Sequence, residues 1–142
     1  MSPIEVLHNA ARDHCHKRAT LWMTQYSRLI AENRDRVALP NGGRTRTPEA
    51  IDTYSRYRFL TAILHEIERF IPGDFHSLEE CREFLGRAAE TAQNSVIDPD
   101  DAPEAAAISD EHNVFTKFIT TLRLEEAESI PMLPFRRSKF VR

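Results

Sequence analysis

Glycine is scarce in this chain, with four residues among 142, and cysteine is scarcer, with two. So few glycines supply little of the turn chemistry that a strand-rich fold needs. Cys15 and Cys81 are too few for a disulfide scaffold or a zinc knuckle. No apolar run approaches the length of a membrane span. Met1-Ser2-Pro3-Ile4-Glu5 has no basic head followed by an apolar stretch, so a signal peptide is not expected and the expected location is cytoplasmic. The chain also lacks a Gly-x-Ser-x-Gly elbow, a Walker loop, a Gly-x-Gly-x-x-Gly turn and a His-Glu-x-x-His helix. Those absences weigh against an enzyme, and no motif specifies a cofactor.

What is present is the composition of a globular domain, 41% hydrophobic and 29% charged. A chain of this size buries roughly two-thirds of its unfolded surface, so a core forms without disulfides or a structural metal. Proline and glycine punctuate it at Pro40 with Gly42 and Gly43, at Pro72 with Gly73, at Pro99 with Pro103, and at Pro131 with Pro134. Only Gly86 interrupts a periodic segment.

Four helix-length blocks lie between these marks. The first, Ile4 to Arg34, sets Ile4, Leu7, Ala11, Cys15, Trp22, Tyr26 and Leu29 on one stripe at three- and four-residue steps. The second starts at Thr47-Pro48-Glu49, a cap residue followed by proline at the first helical position. Its apolar face is Leu60, Ile63, Leu64, Ile67 and Ile71. The third opens on Ser77-Leu78-Glu79-Glu80, which has the form of a capping box, and carries Leu78, Cys81, Leu85, Ala88, Ala92 and Val96. The fourth begins at Pro103 or Glu104 and carries Ile108, Phe115, Ile119 and Leu122, flanked by Phe118.

The pattern predicts an all-α fold: an antiparallel bundle of about four amphipathic helices with an extended C-terminal tail. The bundle occupies residues 1–128 and the tail residues 129–142. The first helix is the longest, and a projecting apolar end predicts a homo-oligomer, a dimer being favoured.

Charge is unevenly spread. Residues 1–72 carry +3, residues 73–128 carry −10, and residues 129–142 carry +4 with no acid at all. In the tail, Phe135, Arg136, Arg137 and Phe140 are the expected partner-binding residues. With so much apolar surface the tail is expected to dock on the acidic part of the bundle or on a protein partner.

Metal is a second possibility, because three of the six histidines, His8, His14 and His16, cluster. His14 and His16 point about 200° apart on a helix, so they do not share one ion. Glu5-x-x-His8 has the spacing that di-iron bundles use, and His8 and His112 fall beside apolar stripes. The candidate ligands are therefore His8, His112, His14 and Glu5. A partly buried histidine bonded to a neighbouring helix is the plainer account of each.

A third candidate is the loop spanning residues 34–47. Arg34, Arg36, Arg44 and Arg46 surround a glycine pair directly before a helix N-terminus, a setting for phosphate or a nucleic-acid backbone. Tyr54 and Tyr57 interleave with Arg56 and Arg58, which suits stacking on bases. The net charge of −3 argues against nucleic acid as a partner. The leading expectation is a non-enzymatic cytosolic interaction or regulatory protein, acting through helix faces and the C-terminal tail. A metal-binding bundle, or phosphate recognition by the arginine loop, stands as the alternative.

Overall fold

A computed structural model describes residues 2–96 and 102–124. The chain runs α1 (Pro3–Ala31), β1 (Arg36–Ala38), β2 (Arg44–Arg46), α2 (Pro48–Ile67), a single 3-10 turn (Pro72–Asp74), α3 (Leu78–Val96) and α4 (Ala102–Thr121). The four expected helices are present and pack as an all-α bundle. The expected tail lies outside the described residues.

Local chemistry sets the helix ends. Ser2 caps α1: its Oγ accepts from the Glu5 N–H at 3.2 Å, and Glu5 Oε1 accepts from the Ser2 N–H at 3.0 Å. At the other end α1 stops three residues before Arg34. Asn33 adopts a left-handed conformation (φ 58°), Arg34 N donates to the Leu29 carbonyl at 2.8 Å, and Asn33 N donates to that of Ile30 at 3.1 Å. This is a Schellman motif, with asparagine in the place usually taken by glycine. Thr47 Oγ1 caps α2 by accepting from Ala50 N, and Pro48 occupies the first turn. At α3, Ser77 Oγ accepts from Glu80 N as expected, but the Glu80 carboxylate reaches past Ser77 to the His76 N–H at 2.6 Å.

The core gathers the apolar stripes: Leu7, Ala11 and Cys15 from α1, Phe59, Leu60, Ile63 and Ile67 from α2, Cys81 and Leu85 from α3, and Ile108, Phe115 and Ile119 from α4. α2 packs against all three other helices. Its start is tied to the end of α1 by Arg34, which bridges Glu32 and Glu49. His8, near the start of α1, lies against Phe75, just beyond the end of α2, so the two run antiparallel. Arg82 on α3 donates to the Ile119 carbonyl at 3.2 Å, joining the start of α3 to the end of α4.

The connection between α1 and α2 is not a plain loop. β1 and β2 pair antiparallel, with Arg36 opposite Arg46, Val37 opposite Thr45 and Ala38 opposite Arg44. Leu39 N donates to the Gly43 carbonyl at 2.7 Å and Gly42 N to that of Leu39 at 3.0 Å. Gly42 sits at φ +89°, which completes a three-residue Pro-Asn-Gly turn that only glycine fills without strain. Asn41 Oδ1 accepts from Gly43 N and holds the turn.

Candidate functional site

Residues facing each other across a ladder share one side of it. Arg36, Ala38, Arg44 and Arg46 therefore lie on one side of the hairpin, and Val37 and Thr45 on the other. The basic side meets α2: the Arg46 guanidinium stands over the Tyr54 ring at 5.7 Å. Tyr54 in turn lies 4.9 Å from Tyr26 and 6.2 Å from Tyr57, a row of three tyrosines running from α1 across α2. At the same end Ile30, Val37 and Leu39 are exposed, Val37 to 50%.

The four loop arginines thus divide. Arg34 is taken up by Glu32 and Glu49, and these carboxylates raise its pKa. It secures the base of the hairpin, together with Thr47 N, which donates to the Asp35 carbonyl at 2.9 Å. Arg36 is 3.9 Å from Asp35, while Arg44 and Arg46 have no ion pair among the described residues. The arrangement puts three guanidinium groups on one side of the hairpin, Arg36 and Arg44 exposed and Arg46 half-buried against Tyr54. Arg44 and Arg46 have no carboxylate partner among the described residues.

Deeper in the bundle, a charged network links α1, α2 and α4. Glu111 is fully buried, at 0% exposure. Arg18 donates to both its carboxylate oxygens through Nε and Nη2, and Arg56 Nη1 donates to Oε1 at 3.1 Å. Arg56 also reaches Asp52 at 3.0 Å and Asp110 at 2.6 Å. Desolvation opposes the Arg56 charge, but its bonds to Asp52, Asp110 and Glu111 outweigh this and raise its pKa. Both guanidiniums also stand over the Trp22 ring, at 5.8 Å for Arg18 and 5.1 Å for Arg56. Sequence reasoning missed this cluster, although one signal was there. Glu111 lies three residues after Ile108 and four before Phe115, on the apolar stripe of α4. A carboxylate at a core position needs a buried cation.

The candidate metal ligands are not brought together. Glu5 caps α1 at its exposed start, and its hydrogen bonds from Ser2 lower its pKa. His8 is buried against Phe75, and neither ring nitrogen has a partner in hydrogen-bonding geometry. Burial lowers its pKa, opposed by the nearby carbonyls of Ile67 and Phe70. His14 stacks on Phe118 at 4.5 Å, its pKa lowered by burial and by Arg18. His112 meets the edge of Phe59 at 6.0 Å. Among the described residues no three His, Cys, Asp or Glu side chains are grouped so as to hold a metal ion. Burial pushes the Cys15 thiol up to about 12 and that of Cys81 to about 11, so neither is poised as a nucleophile. Phe135, Arg136, Arg137 and Phe140 lie outside the described residues. No helix among those described is long and apolar enough to cross a membrane.

The fold and this surface define an all-α bundle bearing at one end a basic hairpin set against a row of tyrosines from α1 and α2. No family model matches the chain, and no curated protein or solved structure is detectably similar to it.

Proposed function

We infer that the protein is a non-enzymatic cytosolic interaction or regulatory protein that self-associates, most simply as a dimer, and engages protein partners through its helix faces and C-terminal tail. The observation that carries this reading is the hairpin end. Exposed Ile30, Val37 and Leu39 lie at that end, Val37 on the side of the ladder opposite the three arginines, and a row of three tyrosines adjoins it. Tyrosine and arginine are among the residues enriched at protein interfaces, where each combines large contact area with a polar terminus. Light scattering over a concentration series tests the reading. The wild-type chain should reach the mass of a dimer, and Val37→Asp with Leu39→Asp should return it to monomer with unchanged helix content. A wild-type monomer at every concentration would remove self-association.

Phosphate recognition has a separate observation behind it: Arg44 and Arg46, on the side of the hairpin that carries Arg36, have no ion pair among the described residues. Binding of a short oligonucleotide should then weaken steeply with salt and be lost in Arg44→Ala/Arg46→Ala. No binding at low ionic strength would exclude it.

A further inference from the structure

α3 contains a glycine that its own fold does not explain. Gly86 lies well inside the helix, where glycine is a poorer choice than alanine because it leaves more backbone freedom to be lost on folding. Helical glycines are usually justified by a close approach of another element. Here a methyl group at Gly86 would meet no atom within 4 Å. Nor does the backbone take the left-handed conformation that glycine relieves, since Gly42 is the described glycine that does so. Side-chain space has been left vacant on this helix.

The vacancy is the floor of a groove of about 410 Å³ between α3 and α4, lined also by Glu83, Arg87, Glu90, His112 and Thr116. Glu83 and Glu90 are seven residues apart, two turns on one side of α3, and neither has an ion pair among the described residues. The described chain ends at Leu124, which is buried, eight residues after Thr116 of the groove. Between them in sequence lies Ile119, whose carbonyl Arg82, next to Glu83, binds. Eighteen residues follow. The last fourteen carry Arg136, Arg137, Lys139 and Arg142, no acid, and the rings of Phe135 and Phe140.

We propose that this groove is the docking site of the chain's own residues 129–142. A phenylalanine ring settles over Gly86, where the missing side chain makes room, and the flanking basic residues pair with Glu83 and Glu90. Reach is sufficient: Phe135 is eleven steps along the chain from Leu124, up to about 36 Å when extended. Glu83 to Glu90 spans only about 10 Å of helix. The groove carries no apolar side chain, so the hold is the ring's contact with the bare helix at Gly86, and the charges, individually weak and screened, set direction and register. Docking within one chain goes beyond the self-association reading and holds whether the protein is monomeric or dimeric.

Limited trypsinolysis of the full chain, read by intact mass, tests it. Cleavage after Arg136, Arg137 and Lys139 should be slow in the wild type. It should rise about tenfold in Gly86→Leu, which fills the floor, since cleavage follows the population of the released tail. Phe135→Ala/Phe140→Ala, which leaves the bundle untouched, should give the same acceleration, and 1 M salt a smaller one. Equal rates in all three proteins would overturn the proposal. So would acceleration by the phenylalanine variant alone, which would place the tail elsewhere, or protection that grows with protein concentration, which would assign the groove to a second copy's tail.

Discussion

Removing Arg18 should destabilise the bundle more than removing Arg56, although Arg56 makes more ion pairs. The reasoning turns on which carboxylates are left behind. Arg56 is shared among Asp52, Asp110 and Glu111. Asp52 and Asp110 have side chains 40% and 62% exposed and rehydrate readily, so each loses about 0–1 kcal/mol. Glu111 would keep both bonds from Arg18. In Arg18→Met the aliphatic stem remains, but a carboxylate with no exposure keeps a single bond, from Arg56 Nη1. A buried charge stripped of a partner costs about 3–5 kcal/mol, and the surviving bond puts this case at about 3 kcal/mol. Arg56→Met should cost about half as much. For a domain of this size 1 kcal/mol moves the melting temperature by about 3 °C, so the two variants should fall by about 9 °C and about 4 °C. Urea unfolding followed by circular dichroism gives the same ordering in free energy. Arg18→Met/Glu111→Met should recover most of the loss, because an apolar pair needs no solvation. Equal losses, the reverse order, or losses under about 0.5 kcal/mol in both variants would refute the argument.

His8 should make the protein acid-sensitive. Burial lowers its folded-state pKa, so below about pH 6.5 the unfolded chain binds the proton that the folded chain refuses. Stability is then full above the ordinary histidine range and declines as pH falls through about 6.5 towards the lowered value. In His8→Leu the melting temperature should change less between about pH 7 and pH 5, and an unaltered profile would count against it. Cys15 and Cys81, raised to about 12 and about 11 by burial, should resist a thiol reagent in the native protein and react promptly in denaturant. Fast modification of the folded chain would show that the bundle opens there.

The helices were legible because their signals are local. Thr47-Pro48 and Ser77 cap where expected, and most of the stripes at three- and four-residue steps reached the core. Ile71 did not, since it lies past the end of α2 and is 66% exposed, nor did Tyr26, which lies against Tyr54 instead. Ser2-x-x-Glu5 carried the same information, yet Glu5 drew notice as a metal ligand when its spacing from Ser2 already made it a cap. The hairpin was obscured by strands of three residues, too short for alternation to register, though Pro40-Asn41-Gly42 is strong turn chemistry. The Arg18–Glu111–Arg56 cluster joins residues 93 and 55 positions apart. Which arginine meets Glu111 depends on how far each helix slides along its neighbours, and periodicity fixes the face of a helix without fixing that slide.

The placing of Trp22 against two guanidiniums also gives the molecule a built-in optical gauge. It is the single tryptophan in the chain, so its emission comes from one place, the seam where α1, α2 and α4 meet. Withdrawal of α4 would free Arg18 and Arg56 from Glu111 and loosen their hold on the indole while most helical structure persisted. Fluorescence that changed before the helical dichroism would therefore report α4 departing as a unit, and coincident transitions would report a bundle that opens all at once.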